Sequence, residues 1–503
     1  MGPGRAHLLL LAALLLLAFG LQASGLVSQS LWRDEVDAVR FARRPLAALL
    51  ETFRTPGQNG PLYYLLLRPW LDLAGRGEFA LRFFSTFFGV LALALTARLG
   101  RRLFPARPAI GLLAALLAAT APYLVWYGQE GKMYTLVVVL VLLSMERYLA
   151  ALQRGGWRRW LAYVMCTSLL FYVHLTAVLV VPAQALTFLF LGREVQRERW
   201  KGWLASLAAL TVPYLPLLAW QWPMLRAGGE TGYAFVPLRE MVLSLLTSYS
   251  LGVVEHGAPW ALAPFVALLL AVVLGLGSAR RSRAVLLCWL LVPVAGFFLV
   301  TLLRPMYTSR YLIFVLPAYL LLLAVGLVAV ARQSRLLAGG LLVGLLALNG
   351  WGLWLQARTP LKTDFRAATA YLGERLAPGD LVLFQIPYGR HSFEYYRSQQ
   401  GAQARGAPPG QVGFRLMLPL VAGGGAPAYA WAEGPYTNAG MTPEEAARQM
   451  ATLTEGYRGV WLVATEVPLW DERGLVQAWL EDHARRRQEE HFVRVDLYYY
   501  RFP

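Results

Sequence analysis

The chain has 503 residues, 47 Lys+Arg against 29 Asp+Glu and a formal net charge of +18, yet only 15% of its residues are charged and 57% are hydrophobic. Soluble globular domains carry roughly 25% charged residues, and a soluble nucleic-acid binder becomes basic by being rich in charge. A pI of about 10.1 at a mean hydropathy of +0.46 therefore excludes a soluble basic protein, a nucleic-acid partner and a disordered chain, and points to a polytopic membrane protein.

A membrane-spanning helix needs about 20 apolar residues, because the hydrocarbon is about 30 Å thick and each residue rises about 1.5 Å. Residues 7–27 make the first such run. It follows a short basic flank but is long for a signal-peptide core and is followed by further spans, so it reads as a retained helix. More apolar runs lie near 79–99, 108–127, 132–151, 160–173, 175–191, 203–220, 260–279, 284–303, 310–331 and 336–356, which predicts about eleven helices. The stretch 160–191 is too long for one span and is divided at His174. The two cysteines, Cys166 and Cys288, sit inside apolar runs and read as small buried hydrophobes.

Alternation then sets the orientation. With the N-terminus in the cytoplasm, the inner loops carry Arg98, Arg101, Arg102 and Arg107, then Arg154, Arg158 and Arg159, then Arg193, Arg197, Arg199 and Lys201, then Arg280, Arg281 and Arg283, then Arg332 and Arg335. This satisfies the positive-inside rule. The expected location is the inner (plasma) membrane, multi-pass. Residues 1–356 form the transmembrane module; residues 357–503 lack a spanning run and form a small extracytoplasmic α/β domain. Within that domain Leu361–Leu376 has helical periodicity, Leu381–Ile386, Val460–Ala464 and Phe492–Tyr500 read as strands, and 401–409 and 421–428 are Gly/Pro/Ala-rich loops.

The first outer loop, 28–78, breaks the orientation rule with Arg33, Arg40, Arg43, Arg44, Arg54, Arg68 and Arg76. It opens on Leu31-Trp32-Arg33-Asp34-Glu35-Val36-Asp37 and closes on Gln58-Asn59-Gly60-Pro61-Leu62-Tyr63-Tyr64. Between them Val36–Phe53 is amphipathic, with Val39, Leu46, Leu49, Leu50 and Phe53 toward one side, as in a helix lying in the headgroup plane. Asp34 and Asp37 have an ordinary use at a helix N-terminus, where carboxylates meet free N–H groups. Their functional use would be a carboxylate facing a phosphate-bearing lipid.

Two other outer turns carry charge: Gln129-Glu130-Gly131-Lys132-Met133-Tyr134 and Arg304-Pro305-Met306-Tyr307-Thr308-Ser309-Arg310-Tyr311. An interfacial polar turn and an aromatic-basic anchor are the plain readings, as a satisfied interface histidine is for His174. Yet all of these candidates fall on the outer face. Phosphate-cradling loops, nucleophile elbows, H-E-x-x-H and paired C-x-x-C motifs are absent from the sequence. A transferase there needs a substrate already activated and anchored in lipid.

Asp34-Glu35, Pro61-Leu62-Tyr63-Tyr64, Leu81-Arg82, Gln129-Glu130 with Met133-Tyr134, and Arg310-Tyr311-Leu312 before Pro317 resemble the glycosyltransferase family 39-like membrane proteins. These are GT-C relatives of the dolichyl-phosphate-mannose–protein mannosyltransferases and of the lipid A aminoarabinose transferase. The likeness covers about residues 30–330. It implies a polyprenyl-phosphate sugar donor and inverting transfer to a glycan, lipid or protein acceptor on the outer face. On this resemblance Asp34 is the general base, and Glu35 supports it or binds acceptor. Glu130, with Gln129, Asn59 and Tyr63, positions acceptor or sugar. Arg310, Arg304 and Lys132, with His174 behind them, hold the donor phosphate. A histidine frequent before Pro-Leu-Tyr-Tyr is here replaced by Asn59-Gly60. No cofactor or metal ligand set is assigned, although a divalent metal is compatible with the chemistry. A transporter or flippase of a lipid-linked sugar is the alternative, and a scaffold is the plainest. Charge at helix ends, not in mid-membrane, favours the enzyme.

Overall fold

The computed structural model describes residues 3–54, 59–190, 192–226, 233–254, 259–273, 280–377, 379–386, 389–403, 413–416 and 441–503. Of the expected loops 401–409 and 421–428, residues 401–403 are helical and the rest lies outside the described residues. The chain divides into two compact units. The first comprises Met1–Leu26, Arg44–Leu225 and Tyr233–Thr359; the second comprises Val27–Arg43, Arg226–Gly232 and Pro360–Pro503.

In chain order the helices up to residue 358 are α1 (Pro3–Ala23), α2 (Arg33–Arg43), α3 (Leu46–Arg54), α4 (Leu62–Ala74), α5 (Glu78–Leu103), α6 (Ala109–Thr120), α7 (Pro122–Gly128), α8 (Tyr134–Arg154), α9 (Trp157–Phe171), α10 (Val180–Leu189), α11 (Arg193–Arg226), α12 (Leu238–Leu251), α13 (Ala263–Val273), α14 (Arg280–Leu303), α15 (Leu316–Gln333) and α16 (Arg335–Arg358). All but α2 belong to the first unit. Seven of the described helices are long and apolar enough to span a membrane, and α6 with α7, bent by 61° at their junction, makes an eighth if it is one span. The bend falls at Ala121-Pro122, where proline lacks the N–H that would continue the ladder.

Helices α8 and α15 are buried nearly all round and form the middle of the unit. Against α8 pack α5 and α9; against α15 pack α6, α13 and α16. A buried polar network ties α8, α9 and α10 together. Gln184 accepts from the Tyr148 hydroxyl at its backbone oxygen (2.7 Å) and from the Tyr163 hydroxyl at its side chain (2.8 Å), and donates to Ser144 Oγ (2.9 Å). Among apolar neighbours such bonds fix the register of helices that have little else to distinguish one rotation from another.

Three sequence expectations change. The amphipathic stretch 36–53 is two helices, α2 and α3, because Pro45 interrupts it. Its supposed single apolar side is divided as well: Leu49 and Phe53 are buried, while Leu46 and Leu50 are exposed. Helix α12 was not expected, since Leu238–Leu251 mixes polar residues into a short apolar run.

The second unit is a five-stranded sheet in the order β2-β1-β3-β5-β4, with β1 (Asp380–Phe384), β2 (Gly413–Leu416), β3 (Gly459–Ala464), β4 (Arg485–Phe492) and β5 (Val495–Arg501). β1 pairs in parallel with β2 and β3, while β5 runs antiparallel to β3 and β4. Helices α17 (Phe365–Arg375), α18 (Gly389–Gln403), α19 (Pro443–Thr454), α20 (Val467–Trp470) and α21 (Leu475–His483) complete it. The expected strand 492–500 is one arm of a hairpin that turns at Arg494, whose φ is 56°. The other arm, Arg-Arg-Arg-Gln-Glu-Glu-His-Phe, is exposed along most of its length and carries no apolar alternation to read. The central strands β1 and β3 are wholly buried.

Helix α2 also belongs to this unit. Ser30 Oγ donates to Thr363 O (2.6 Å), Leu361 and Lys362 N–H groups donate to Gln29 Oε1 (2.9 and 3.0 Å), and the Leu31 N–H donates to the Tyr396 hydroxyl. The opening of the segment 28–78 is therefore built into the fold of the C-terminal segment.

Candidate active site

In the first unit the charged turns are assembled by backbone and small-residue contacts. The turn from α7 to α8 carries Gln129, Glu130 and Lys132, of which Glu130 and Lys132 are buried. Gln129 Nε2 donates to Leu21 O (2.9 Å), fixing the turn to the end of α1. Thr86 Oγ1 donates to Gly128 O (2.8 Å) and Ser85 Oγ to Lys132 O (3.0 Å), fixing it to α5. A Cβ at Gly131 would lie 2.4 Å from the Leu81 side chain, so only glycine lets the turn seat this closely. Lys132 Nζ lies 3.5 Å from the Tyr64 hydroxyl and 6.0 Å from that ring's centroid.

The second component is the break between α9 and the 3₁₀ turn Leu175–Leu179 that leads into α10. His174 stands in this break in an extended conformation. Asn59 Oδ1 accepts from the Leu175 N–H (3.3 Å), and the Leu62 N–H donates to Tyr172 O (3.0 Å). A Cβ at Gly60 would meet Tyr172 O at 2.2 Å. The Asn59-Gly60-Pro61-Leu62 segment is thus a backbone clamp on the histidine turn.

The third component is the 3₁₀ turn Ser309–Val315 ahead of α15, which carries Arg310 and Tyr311. Thr176 Oγ1 donates to Tyr311 O (2.8 Å) and also lies 2.8 Å from His174 Nδ1. A hydroxyl has one proton, so Thr176 must accept from His174. The hydrogen-bond pattern assigns the proton to Nδ1 and leaves a lone pair on Nε2. Nε2 is buried and has no hydrogen-bond partner among the described residues. Burial first, then the charges of Arg310 and Lys132, push the imidazole down to about 3. His174 is therefore neutral across the physiological range. It rings against Tyr134 (centroids 6.2 Å) and Tyr311 (5.3 Å), and the Arg310 guanidinium sits 6.0 Å from the Tyr134 centroid and 5.9 Å from that of Tyr311.

The structure thus brings Lys132, His174 and Arg310 together, and Glu130 and Arg310 are both within electrostatic reach of Tyr127. Three expected members stand differently. Arg304 follows α14, half-buried, and is not among the charges that act on His174. Tyr63 is wholly buried among Tyr64 and Phe84, where it packs instead of lining open space. Asn59 is occupied by the Leu175 backbone. Sequence reasoning missed Tyr64 and Thr176. Tyr64 was visible in the Pro-Leu-Tyr-Tyr motif, but Thr176 has no signal without the fold. Among the described residues no group of three or more His, Cys, Asp or Glu is placed to hold a metal ion.

In the second unit Asp34 and Glu35 lie in the first turn of α2. Glu35 is 0% exposed; its Oε2 pairs with Lys362 Nζ (3.1 Å, 7% exposed) and receives the Trp32 N–H (3.4 Å). It holds the helix start in the manner of a capping-box glutamate. Asp34, one residue earlier, is half-exposed. Asp37 is paired with Arg40 (2.9 Å).

The whole architecture is that of known structures. ArnT from Cupriavidus metallidurans bound to undecaprenyl phosphate superposes with a TM-score of 0.58 at 14% identity, over 99% of this chain and 98% of that one. The chain has the GT-C fold. The Archaeoglobus fulgidus oligosaccharyltransferase AglB, in complex with an inhibitory peptide and a dolichol-phosphate, matches with a TM-score of 0.57 at 12% identity, over 98% of this chain and 74% of that one. Arabinofuranosyltransferase AftD from Mycobacteria matches with a TM-score of 0.50 at 14% identity, over 98% of this chain and 41% of that one. In sequence, residues 58–220 match the family model described as dolichyl-phosphate-mannose-protein mannosyltransferase. That span contains Asn59, Tyr63, Gln129, Glu130, Lys132 and His174. No curated protein matches the sequence.

Proposed function

We propose that this chain is a membrane glycosyltransferase that takes a sugar from a polyprenyl-phosphate-linked donor. The acceptor is a glycan, lipid or protein at the outer face, and the reaction is an inverting single displacement. The observation that carries the reading is the convergence of Lys132, Arg310 and neutral His174 in a unit whose fold is shared with a protein holding undecaprenyl phosphate.

In the displacement, the bond between the anomeric carbon and the phosphate oxygen breaks and a bond to the acceptor oxygen forms on the opposite face. The leaving polyprenyl phosphate gains negative charge. Arg310, half-buried, and Lys132, buried, stabilise it; a preorganised donor of this kind is worth about 2.7–4 kcal/mol. Arginine adds a planar fork that takes two phosphate oxygens at once. The acceptor proton passes to Asp34, the half-exposed carboxylate of the pair; general-base help of this kind is worth about 10²–10⁴-fold. Glu35, spent on Lys362, positions the start of α2 and so Asp34.

His174 takes a different part from the one expected. Its proton is engaged on Nδ1, so it has none to give a phosphate, and a bare Nε2 lone pair suits a sugar or acceptor hydroxyl. Tests follow from these roles. In a deletion strain, mass spectrometry should find one surface glycan losing a sugar while its lipid-linked precursor accumulates, and Asp34→Asn should fail to restore it. Full restoration by Asp34→Asn would remove Asp34 as the base.

A further inference from the structure

At the far end of α8 from Glu130 lies a second charged site that the proposed reaction does not use. Helix α8 has 21 residues, so its ends are about 30 Å apart. There a cavity of about 440 Å³ is lined by Arg98 and Arg102 of α5, Arg147 and Arg154 of α8, and Arg158 and Arg159 of α9, around a single carboxylate, Glu146. The turn Gly155-Gly156, with φ of 64° and 90°, is only two residues long and folds α9 back beside α8. That reversal brings Arg158 and Arg159 round to the arginines of α5.

The charge does not balance within the cavity. Glu146, 4% exposed, uses one oxygen for both its partners: Oε1 accepts from Arg98 Nε (2.9 Å) and from Arg102 Nη1 (3.3 Å). Arg102 turns its other nitrogen to Gln153 Oε1 (3.0 Å), and Arg159 Nη1 turns to Gly155 O (2.9 Å). Six guanidinium groups thus face one carboxylate across a shared space. Like charges gathered round one space repel unless an anion lies between them. Guanidinium groups are built for the planar oxygens of phosphate.

The surroundings say which anion. Trp157 is 70% exposed at the rim, and Leu161, Met165 and Leu169 continue from it at four-residue spacing, all exposed. Four-residue steps lie on one face of a helix. An apolar stripe of about 18 Å therefore runs from the cavity along the exposed side of α9. We infer that this cavity binds the phosphate headgroup of an anionic phospholipid, with an acyl chain lying along Trp157–Leu169. It is distinct from the donor site and stands whether or not the proposed transfer is correct.

The test is native mass spectrometry of the full-length protein with phosphatidylglycerol, phosphatidylcholine or inorganic phosphate as the probe. Phosphatidylglycerol should be retained and phosphatidylcholine should not. Arg147→Gln with Arg158→Gln should weaken retention about tenfold for each charge-assisted bond lost, with an unchanged melting temperature. Glu146→Gln, which keeps every arginine and removes the competing carboxylate, should tighten it. Equal retention of both lipids, or retention unmoved by the arginine variants, would overturn the inference. So would binding of inorganic phosphate that displaces the lipid at equal concentration, which would make the site one for a free anion.

Discussion

At the scale of single residues, the candidate site separates groups that look equivalent in the sequence. Asp34 and Glu35 are adjacent acids, yet Glu35 is buried on Lys362 and Asp34 is half-exposed. Asp34→Asn should lower transfer by at least about 10²-fold, the lower end of general-base help, while binding of undecaprenyl phosphate is retained. Arg310 and Arg304 are likewise alike in sequence, but only Arg310 acts on His174. Arg310→Ala should weaken polyprenyl phosphate binding by about 10²-fold, the loss of one preorganised phosphate contact, and Arg304→Ala should leave it nearly unchanged; titration calorimetry in detergent would read both. The sequence named Lys132, His174 and Arg310 because charge at helix ends is conspicuous against an apolar background. It could not assign the histidine's proton, since that depends on Thr176 and Tyr311, which meet only in the fold.

That assignment has a pH consequence. An ordinary imidazole titrates near 6.5, whereas His174 is held down to about 3 in the folded chain. A depressed folded pKa means the stabilisation is complete above about 6.5 and is lost as the pH falls toward 3, because the unfolded chain takes up the proton first. The melting temperature of the wild type should therefore fall more steeply between pH 7 and pH 4 than that of His174→Asn. Parallel slopes would mean that His174 takes up its proton as readily in the folded protein as in the unfolded chain.

At the scale of elements, the apolar runs were legible because a membrane demands length and composition, and both can be read from the sequence. What failed was local punctuation and weak pattern: Pro45 split the amphipathic stretch, polar α12 was missed, and the charged strand β4 offered no alternation. The clamp at Asn59–Leu62 was also hidden, since a backbone contact leaves no mark beyond a glycine. Gly60→Ala should lower the melting temperature, because a methyl 2.2 Å from Tyr172 O forces the clamp off the histidine turn; overpacking of this kind costs about 1–3 kcal/mol. An unchanged melting temperature would show that the turn yields freely. The buried Glu35–Lys362 pair gives a second check. Lys362→Met strands a buried carboxylate and should destabilise the C-terminal unit by about 3–5 kcal/mol, and adding Glu35→Gln should recover part of that.

At the scale of the molecule, the +18 charge resolves into distinct contributions. Much of it lies in loops between the apolar helices, one share converges as Lys132 and Arg310 beside His174, and another surrounds Glu146 at the opposite end of α8. The central claim is that the first of these shares serves sugar transfer from a lipid phosphate. The most direct measurement is to reconstitute the purified full-length chain in proteoliposomes with lipid-linked sugars and acceptor extracted from its source membranes, and to quantify free polyprenyl phosphate by mass spectrometry. The account predicts that wild-type protein releases free polyprenyl phosphate in step with acceptor glycosylation, and that Asp34→Asn releases none. Movement of intact lipid-linked sugar across the bilayer without release of free polyprenyl phosphate would contradict it and assign the chain to transport.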